Sequence, residues 1–183
     1  MKRSKVVLRP LTSADGPEFT ALMAASRSLH RPWSSPPTDL DSFGSLAARA
    51  ERDDYDLQLV CLRNGGAIVG YFALSQIFRG AFHNAYLGYD GSAPYAGRGH
   101  MREGLELMLR HVFRAQRLHR VEANIQPGNQ ASRALVEGAG FRLEGFSPRY
   151  LKIGGRWRDH ERWALTVEDW QERPRPRRGA RFR

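Results

Sequence analysis

Between a strand-like run that ends at Tyr89 and a long amphipathic stretch that begins near Met101, the chain reads Tyr95-Ala96-Gly97-Arg98-Gly99-His100-Met101. Two glycines with one residue between them at that junction constrain the fold more than any other feature, because they set a tight turn between a strand and a helix N-terminus. A turn of this kind offers the unpaired N–H groups of the first helical turn, and the positive end of the helix dipole, to an anion such as a pyrophosphate. A Gly-x-Gly pair by itself is commonly just a turn. Here a strand precedes it, a helix follows it, and Arg98 and Arg102 stand beside it as phosphate partners.

The flanking sequence places the turn in a longer order of elements. Val6 to Leu11 reads as an opening strand, and Thr12 or Ser13 as the cap of a helix whose apolar stripe includes Phe19, Leu22 and Met23 and which ends near Ser28. The three prolines between His30 and Pro37 forbid its continuation and leave a loop carrying Trp33. Thr38, with Asp41 three residues later, resembles a capping box and predicts a second helix to about Asp53. Strands over 57–63 and 67–77 flank the hairpin turn Asn64-Gly65-Gly66, and a third strand follows over 82–89. Leu105, Met108, Leu109, Val112 and Phe113 mark one face of the long helix after the glycine turn. A short strand over 120–125 leads into a helix through Leu135 and Val136, which Gly138-Ala139-Gly140 stops. Strands over 141–151 and 156–166, joined at Gly154-Gly155, close the order as a hairpin. The sequence β-α-α-β-β-β-α-β-α-β-β predicts an α/β (α+β) fold with a mixed central sheet of about seven strands and helices on both faces, neither a Rossmann repeat nor a barrel.

Composition bounds what surrounds that order. With 183 residues, 41% of them hydrophobic, the chain suits one domain over 1–170 with a sizeable core. The last thirteen residues, 171–183, hold six arginines against one glutamate, which is half of the net charge of +10. Two prolines and no apolar periodicity make that segment a basic, disordered tail, either a solubilising end or an attractor of RNA phosphates through counterion release. There is neither an apolar run of membrane-spanning length nor a signal-peptide core, so the expected setting is the cytoplasm with no membrane contact. A single cysteine, Cys61, excludes internal disulfides and reads as buried packing. His83, His100, His119 and His160 lack metal-ligand spacing, and no metal is expected.

One set of motifs, taken in order, is similar to a known family. Leu8-Arg9-Pro10-Leu11, Tyr86-Leu87-Gly88-Tyr89, Gly97-Arg98-Gly99-His100-Met101, His119-Arg120-Val121, Pro127-x-Asn129-x-x-Ser132, Gly140-Phe141-x-x-Glu144-Gly145 and the stretch from Tyr150 to His160 resemble the GNAT superfamily of N-acetyltransferases. Within it they resemble the RimJ-type ribosomal-protein-alanine enzymes, over nearly the whole chain from about residue 8 to Trp170. The resemblance implies acetyl-CoA as acyl donor, lying between two splayed parallel strands. Leu87, Gly88 and Tyr89 would pair with its pantetheine arm, Gly97, Arg98, Gly99, His100, Met101 and Arg102 would hold its pyrophosphate, and Asn129 and Ser132 would bind its lower part. The family writes the turn Gln/Arg-x-x-Gly-x-Gly/Ala, whereas Ala96 and Met101 take its first and last places here, so of its fixed residues only Gly99 remains.

The thioester is already activated, so direct transfer to an amine suffices and no acyl-enzyme is required. An α-amine with a reference pKa near 8 makes only a modest demand on a base. Glu122 is the candidate base, since it alternates with Asn124 on one face of the strand beside the cleft; it reads otherwise as an exposed or salt-bridged strand glutamate. Ser132 matches the small hydroxyl that the family places near the sulfur, which implies the acid for the leaving thiolate; it reads otherwise as a helix cap, and Tyr150 is a second acid candidate. The family builds its acceptor groove from the loop between the first two helices and the last hairpin, which puts Trp33, Tyr150 and Asp159 beside the acceptor, together with Asn124. Asp159 serves either the acceptor ammonium or a salt bridge to Arg156 or Arg158. The implied partner is a protein N-terminus beginning with Ala or Ser, on a ribosomal protein, with the enzyme a monomer or homodimer. A small-molecule amine as acceptor, or a non-catalytic role in binding acetyl-CoA and RNA, are the alternatives.

Overall fold

A computed structural model of the chain describes residues 4–173. Its core is a seven-stranded sheet in the order β1-β2-β3-β4-β5-β7-β6, formed by β1 (Val6–Pro10), β2 (Tyr55–Leu62), β3 (Ile68–Phe78), β4 (Asn84–Gly91), β5 (Arg120–Ile125), β6 (Arg142–Ile153) and β7 (Arg156–Thr166). Every neighbouring pair is antiparallel except β4 and β5. That pair is joined through α4 (His100–Arg110), which supplies the crossover that parallel strands need.

The alternation of β2 and β3 explains the two layers. Leu57, Leu59, Cys61, Tyr71 and Ala73 point to one face and are covered by α1 (Gly16–Ala25) and α3 (Leu40–Ala50) through Phe19, Met23, Phe43 and Leu46. Val60, Phe72 and Leu74 point to the other and meet Leu105, Met108, Leu109 and Val112 of α4 and its π-helical continuation. The near-continuous apolar run of β3 follows from burial on both faces. Cys61 is buried in the first layer, and burial pushes its thiol up, which keeps it an inert packing residue.

Several boundaries differ from the sequence reading for identifiable reasons. The first helix starts as a 3-10 turn, Ser13–Asp15, whose capping box pairs Thr12 with Asp15, and the segment before the loop is split into α1 and α2 (Arg27–His30). Asp39, not Thr38, caps α3 by accepting from Ser42 N–H at 2.8 Å, while the Thr38 hydroxyl accepts from Arg27 instead. Residues 171–173, expected to open the tail, are part of the described fold. Val167–Glu172 forms α6, capped by Thr166, and Arg173 is anchored by Glu106 (3.0 and 2.7 Å) and by the Ala139 carbonyl. Residues 174–183, with the RNA contact expected of them, lie outside the described residues.

Arg9 on β1 forms a two-pronged ion pair with Asp15, at 2.8 and 2.5 Å, and this hydrogen bonding holds the Asp15 carboxyl down at about 2. A carboxylate depressed in the folded state contributes stability above its unfolded pKa and loses that contribution as pH falls through the folded value. The expected outcome is that wild-type melting temperature falls between about pH 4 and pH 2 partly through this group. The same melts on Asp15→Asn, destabilised at neutral pH, should show a shallower fall across that window; parallel curves would remove Asp15 from the acid response.

Candidate active site

The parallel ladder between β4 and β5 covers only Asn84↔Arg120, Ala85↔Val121 and Tyr86↔Glu122. Both strands continue past it, β4 to Gly91 and β5 to Ile125, but no longer pair with each other. β4 keeps its antiparallel partner β3 as far as Gly91, and β5 keeps β7 as far as Ile125. Each therefore turns one unpaired backbone edge toward the gap. A cleft of about 770 Å³ fills the gap, lined on one side by Leu87, Gly88 and Tyr89 and on the other by Ala123, Asn124 and Ile125. Unpaired strand edges facing a cavity are groups that seek a hydrogen-bonding ligand.

At one end the cleft meets the glycine turn. Gly97 and Gly99 both have positive φ, +71° and +78°, and a Cβ at either would meet nothing within 4 Å. The glycines are thus required by the backbone conformation, and the space above them is open. Gly99 caps α4 in the left-handed conformation, and the first helical bond runs from Glu103 N–H to Gly99 O at 3.1 Å. The N–H groups of His100, Met101 and Arg102 are those that a helix leaves without an internal partner, and all three residues line the cleft. Arg98 is exposed beside the turn and outside the lining. Met101 turns its side chain inward, against Gly70 and Gly91, a directly opposed pair of β3 and β4. Its sulfur fills the room those two glycines leave, which accounts for a methionine at a place the family gives to a small residue.

Polar groups cluster where β4 meets α5 (Gln130–Glu137). The Tyr89 and Ser132 hydroxyls are 2.6 Å apart. Burial pushes the Tyr89 phenol up to about 12, so it stays protonated at neutral pH, the Ser132 contact opposing that shift. Asn129 caps α5, its side-chain oxygen accepting from Ser132 N–H at 3.1 Å. Ser132 is therefore not the cap; its hydroxyl is left for Tyr89 and the cleft. The Asn124 side-chain oxygen is buried and has no partner among the described residues.

The other expected residues fall at different distances from the cleft. Trp33 lines it, its carbonyl accepting from Gln126 Nε2 at 3.1 Å and its ring lying against Gly128. Glu122 does not line it. Its carboxylate takes the Arg120 Nε–H at 2.8 Å, and Arg120 reaches on to Glu144, so Glu122 stands in a salt bridge outside the lining of the cleft. Tyr150 lies in a bulge of β6, between the rungs Ser147↔His160 and Leu151↔Arg158, with its ring edge-on to His160 at 6.1 Å. Asp159 faces that bulge and accepts from Arg149 N–H at 2.7 Å; this bond to the backbone replaces the expected salt bridge to Arg156 or Arg158. Among the described residues no group of three metal-ligating side chains is close enough to hold an ion, and no helix is long and apolar enough to cross a membrane.

Sequence reasoning missed the residues that pin the loop over the cleft. Ser34 Oγ donates to Asp90 at 2.5 Å, Tyr71 donates to the other oxygen of Asp90 at 2.6 Å, and His30 Nε2 lies 2.7 Å from the Gly91 carbonyl. Burial raises the Asp90 carboxyl, with the two hydroxyls opposing the shift. The segment from His30 to Ser34 is thus tied to the end of β4 at both of its own ends and, through Trp33 between them, to the turn after β5, and His30, Trp33 and Ser34 line the cleft. His160, buried and lining the cleft opposite, is lowered by burial and was also missed. A carboxylate at the end of an apolar strand was the one available signal for Asp90; nothing local marks His30 or Ser34.

Comparison with known proteins gives the same frame. Residues 5–142 match the family model described as an acetyltransferase (GNAT) domain. A [Ribosomal protein uS5]-alanine N-acetyltransferase from Escherichia coli is 43% identical over 103 residues, 56% of this chain and 53% of that protein, so the match spans about half the length of that curated relative. An L-methionine sulfoximine/L-methionine sulfone acetyltransferase from Pseudomonas aeruginosa is 28% identical over 148 residues, 78% of this chain and 83% of the relative. The solved structure of Mycobacterium smegmatis RimJ in complex with CoA-disulfide superposes with a TM-score of 0.82 at 31% identity, covering 90% of this chain and 83% of that one. With a splayed parallel pair, a glycine turn capping the crossover helix and a family model matching most of its length, this chain belongs to the GNAT family of acetyltransferases and is similar to its RimJ-type members.

Proposed function

We propose that the protein transfers the acetyl group of acetyl-CoA to the N-terminal amine of a protein beginning with Ala or Ser, with a ribosomal protein as the acceptor. The observation that carries the reading is the continuity of the cleft. It runs from the glycine turn, through the splay, to an opening walled by Trp33 on one side and by Leu151, Ile153 and His160 of the last hairpin on the other. An extended chain terminus fits an open groove of that kind, and the likeness to alanine N-acetyltransferases supports it.

The residues present fit acetyl-CoA. The free N–H groups at the start of α4, the open space over Gly97 and Gly99, the unpaired edge at Leu87, Gly88 and Tyr89, and the unpartnered Asn124 oxygen supply donors and an acceptor along the cleft. Arg102 adds a cation at the phosphate end, with the exposed Arg98 beside it, and the free amide N–H₂ of the Asn129 cap suits the lower part of the cofactor. When bound, the thioester supplies an acyl group that an amine attacks without an enzyme nucleophile.

Within that frame the Tyr89 and Ser132 hydroxyls, 2.6 Å apart, form a relay: with Tyr89 as the donor of the pair the serine proton is free to pass to the departing sulfur, and the Tyr89 proton, replaced from water, follows it onto Ser132 Oγ. The acceptor amine, with a reference pKa near 8, is partly neutral beforehand and gives up its remaining proton to water. Glu122, expected as the base, is assigned a positioning role instead: its ion pair with Arg120 fixes the last paired rung before the splay.

Ser132→Ala is expected to lower kcat by about tenfold to a hundredfold, at or below the lower end for a general acid because a thiolate is a good leaving group, with acetyl-CoA affinity unchanged. Glu122→Gln is expected to keep the acidic limb of the pH–rate profile; its disappearance would make Glu122 the base. The function itself is tested by calorimetric titration with acetyl-CoA and then mass analysis of Ala- and Ser-starting peptides. A gain of one acetyl group on the terminal amine supports the reading. Acetylation of free amino acids alone would move the protein to the small-amine branch, to which the methionine sulfone enzyme belongs.

A further inference from the structure

The sheet gives the cleft two sides. Leu87, Tyr89, Ala123, Ile125 and Trp163 pack in the layer of α4 and α5, the side that carries the glycine turn and the Tyr89–Ser132 pair. Asp90 and Asn124 alternate with them and face the other side, where the Tyr71 and Ser34 hydroxyls meet Asp90. Arg162 is directly opposed to Asn124 across β5 and β7, so His160, two residues before it, belongs to this second side as well. The cofactor groups and His160 therefore flank the gap from opposite faces of the sheet, and an amine that enters past Trp33 reaches the splay on the side of His160.

One hydrogen bond fixes the tautomer of that ring. His160 Nδ1 lies 2.9 Å from the Arg158 carbonyl oxygen, which can only accept, so Nδ1 carries the proton and Nε2 of the neutral ring holds a lone pair. Nε2 has no partner among the described residues and is not one of the enclosed unpartnered atoms, so it is open to the cleft. The ionisable groups around it do little to charge it. On β6 the Tyr150 ring stands edge-on at 6.1 Å, and Asp159, next in the chain, is committed to the Arg149 N–H. On β5 Glu122 is paired with Arg120, and across the cleft Asp90 is bonded to two hydroxyls and His30 to the Gly91 carbonyl. Arg158 and Arg162, the alternate residues of β7, add only positive charge on this side. No carboxylate lies within 4.0 Å of the ring among the described residues. Burial accordingly lowers His160 from the usual histidine value, opposed by the Arg158 carbonyl and Asp159, and the ring is neutral at pH 7.

We propose that His160 Nε2 is the base of the transfer, taking up through water the proton that the acceptor amine releases. The amine nitrogen attacks the thioester carbonyl, and the C–N bond forms as the C–S bond breaks. The amine proton passes through water to His160 Nε2, while the sulfur takes its proton from Ser132. The imidazolium then returns its proton to water, which resupplies the Tyr89–Ser132 pair, so each turnover leaves every group as it began. This role rests on acetyl transfer in the cleft and not on which amine is acetylated. It also accounts for an unpartnered imidazole nitrogen in a buried residue, which a histidine held there for packing alone would not need.

Two measurements use the wild-type chain. In isotope-edited NMR of the histidine rings, one ring should hold its proton on Nδ1 and titrate below the usual value of about 6.5, and its signals should be missing from His160→Asn. At saturating acetyl-CoA, log(kcat/KM) for an Ala-starting peptide should rise with pH at a slope of about 2 below the pKa of that ring, one proton leaving the ring and one the amine. Between that pKa and the amine's value near 8 the slope should be about 1. His160→Asn, whose amide keeps the donor to the Arg158 carbonyl but lacks the second nitrogen, should lower kcat/KM about 100-fold and show a slope of about 1 throughout. Its acetyl-CoA affinity should match the wild type, since the cofactor groups lie on the other side of the sheet. If free amino acids alone are acetylated, the same profile is read on them, so failure of the protein-terminal reading leaves this test in place. A wild-type slope of about 1 down to about pH 5, a His160 ring protonated on Nε2, or an undiminished rate in His160→Asn would each overturn the proposal. The first two of these results do not depend on a variant that folds.

Discussion

Replacing Gly99 by glutamate is expected to give a protein that folds but has lost at least about 100-fold in acetyl-CoA affinity, the cost of setting an unpaired anion where a charge-assisted phosphate contact should form. The two effects separate because of where the residue sits. A Cβ at Gly99 meets no atom within 4 Å, so the new side chain displaces nothing in the fold. Its φ of +78° imposes a strain of about 1–2 kcal/mol on any L-residue, which a melting curve will register. The carboxylate, however, stands at the N-terminus of α4, over the free N–H groups of His100, Met101 and Arg102. It takes the place of the anion that those groups would bind, and it repels a pyrophosphate. Gly99→Ala serves as the control, with the same backbone strain and no charge. Calorimetry on both variants separates the two causes: equal losses would assign the effect to the backbone, and unchanged affinity in both would remove the turn from the cofactor site.

Phe72→Ala should lose about 3–5 kcal/mol of stability, a large share of what a domain of this size possesses. Phe72 is fully buried in β3, its ring against Val60 and α4 at Gly104 on one side and 5.5 Å from the Tyr89 ring on the other. Any side chain at Gly104 would strike it at about 3.1 Å, so the helix approaches the sheet closely at this point and cannot move inward to fill a hole. The ring also braces Tyr89. Loss of that support should let the Tyr89 hydroxyl leave Ser132, so turnover is expected to fall further than unfolding alone explains. Urea melts compared with turnover at a temperature where the variant is still folded test both parts. Phe72→Leu, which keeps most of the volume, should lose roughly 1 kcal/mol and retain activity.

The order of elements was legible because it rests on local signals. The apolar runs of β2 and β3, the 3.6-residue stripe of α4 and the turn glycines at 65, 66, 97, 99, 154 and 155 each act within a few residues, and all six glycines have positive φ in the fold. β5 was delimited to the residue, Arg120–Ile125, because a Pro-Gly pair and a basic cluster bound a clean alternation. Boundaries moved where two candidate caps stood side by side, as with Thr38 and Asp39. Residues 171–173, read as tail, join the fold because Arg173 finds Glu106 across it, a contact that no local pattern announces.

The site divides along the same line. From the sequence alone came the glycine turn and the helix that backs it, a short motif whose chemistry follows from its own backbone, whereas Ser132 and Asn129 were singled out by the resemblance of Pro127-x-Asn129-x-x-Ser132 to the family's motif. The tertiary structure alone determined that β4 and β5 part after Tyr86↔Glu122, that Glu122 faces Arg120 rather than the cleft, and that Ser34, Tyr71 and Asp90 meet to hold a loop over the gap. Those residues are separated by up to 56 positions in the chain. Hydrogen bonds between such groups depend on where the folded sheet and loop place them, and the short-range preferences that a sequence displays hold no record of that placement.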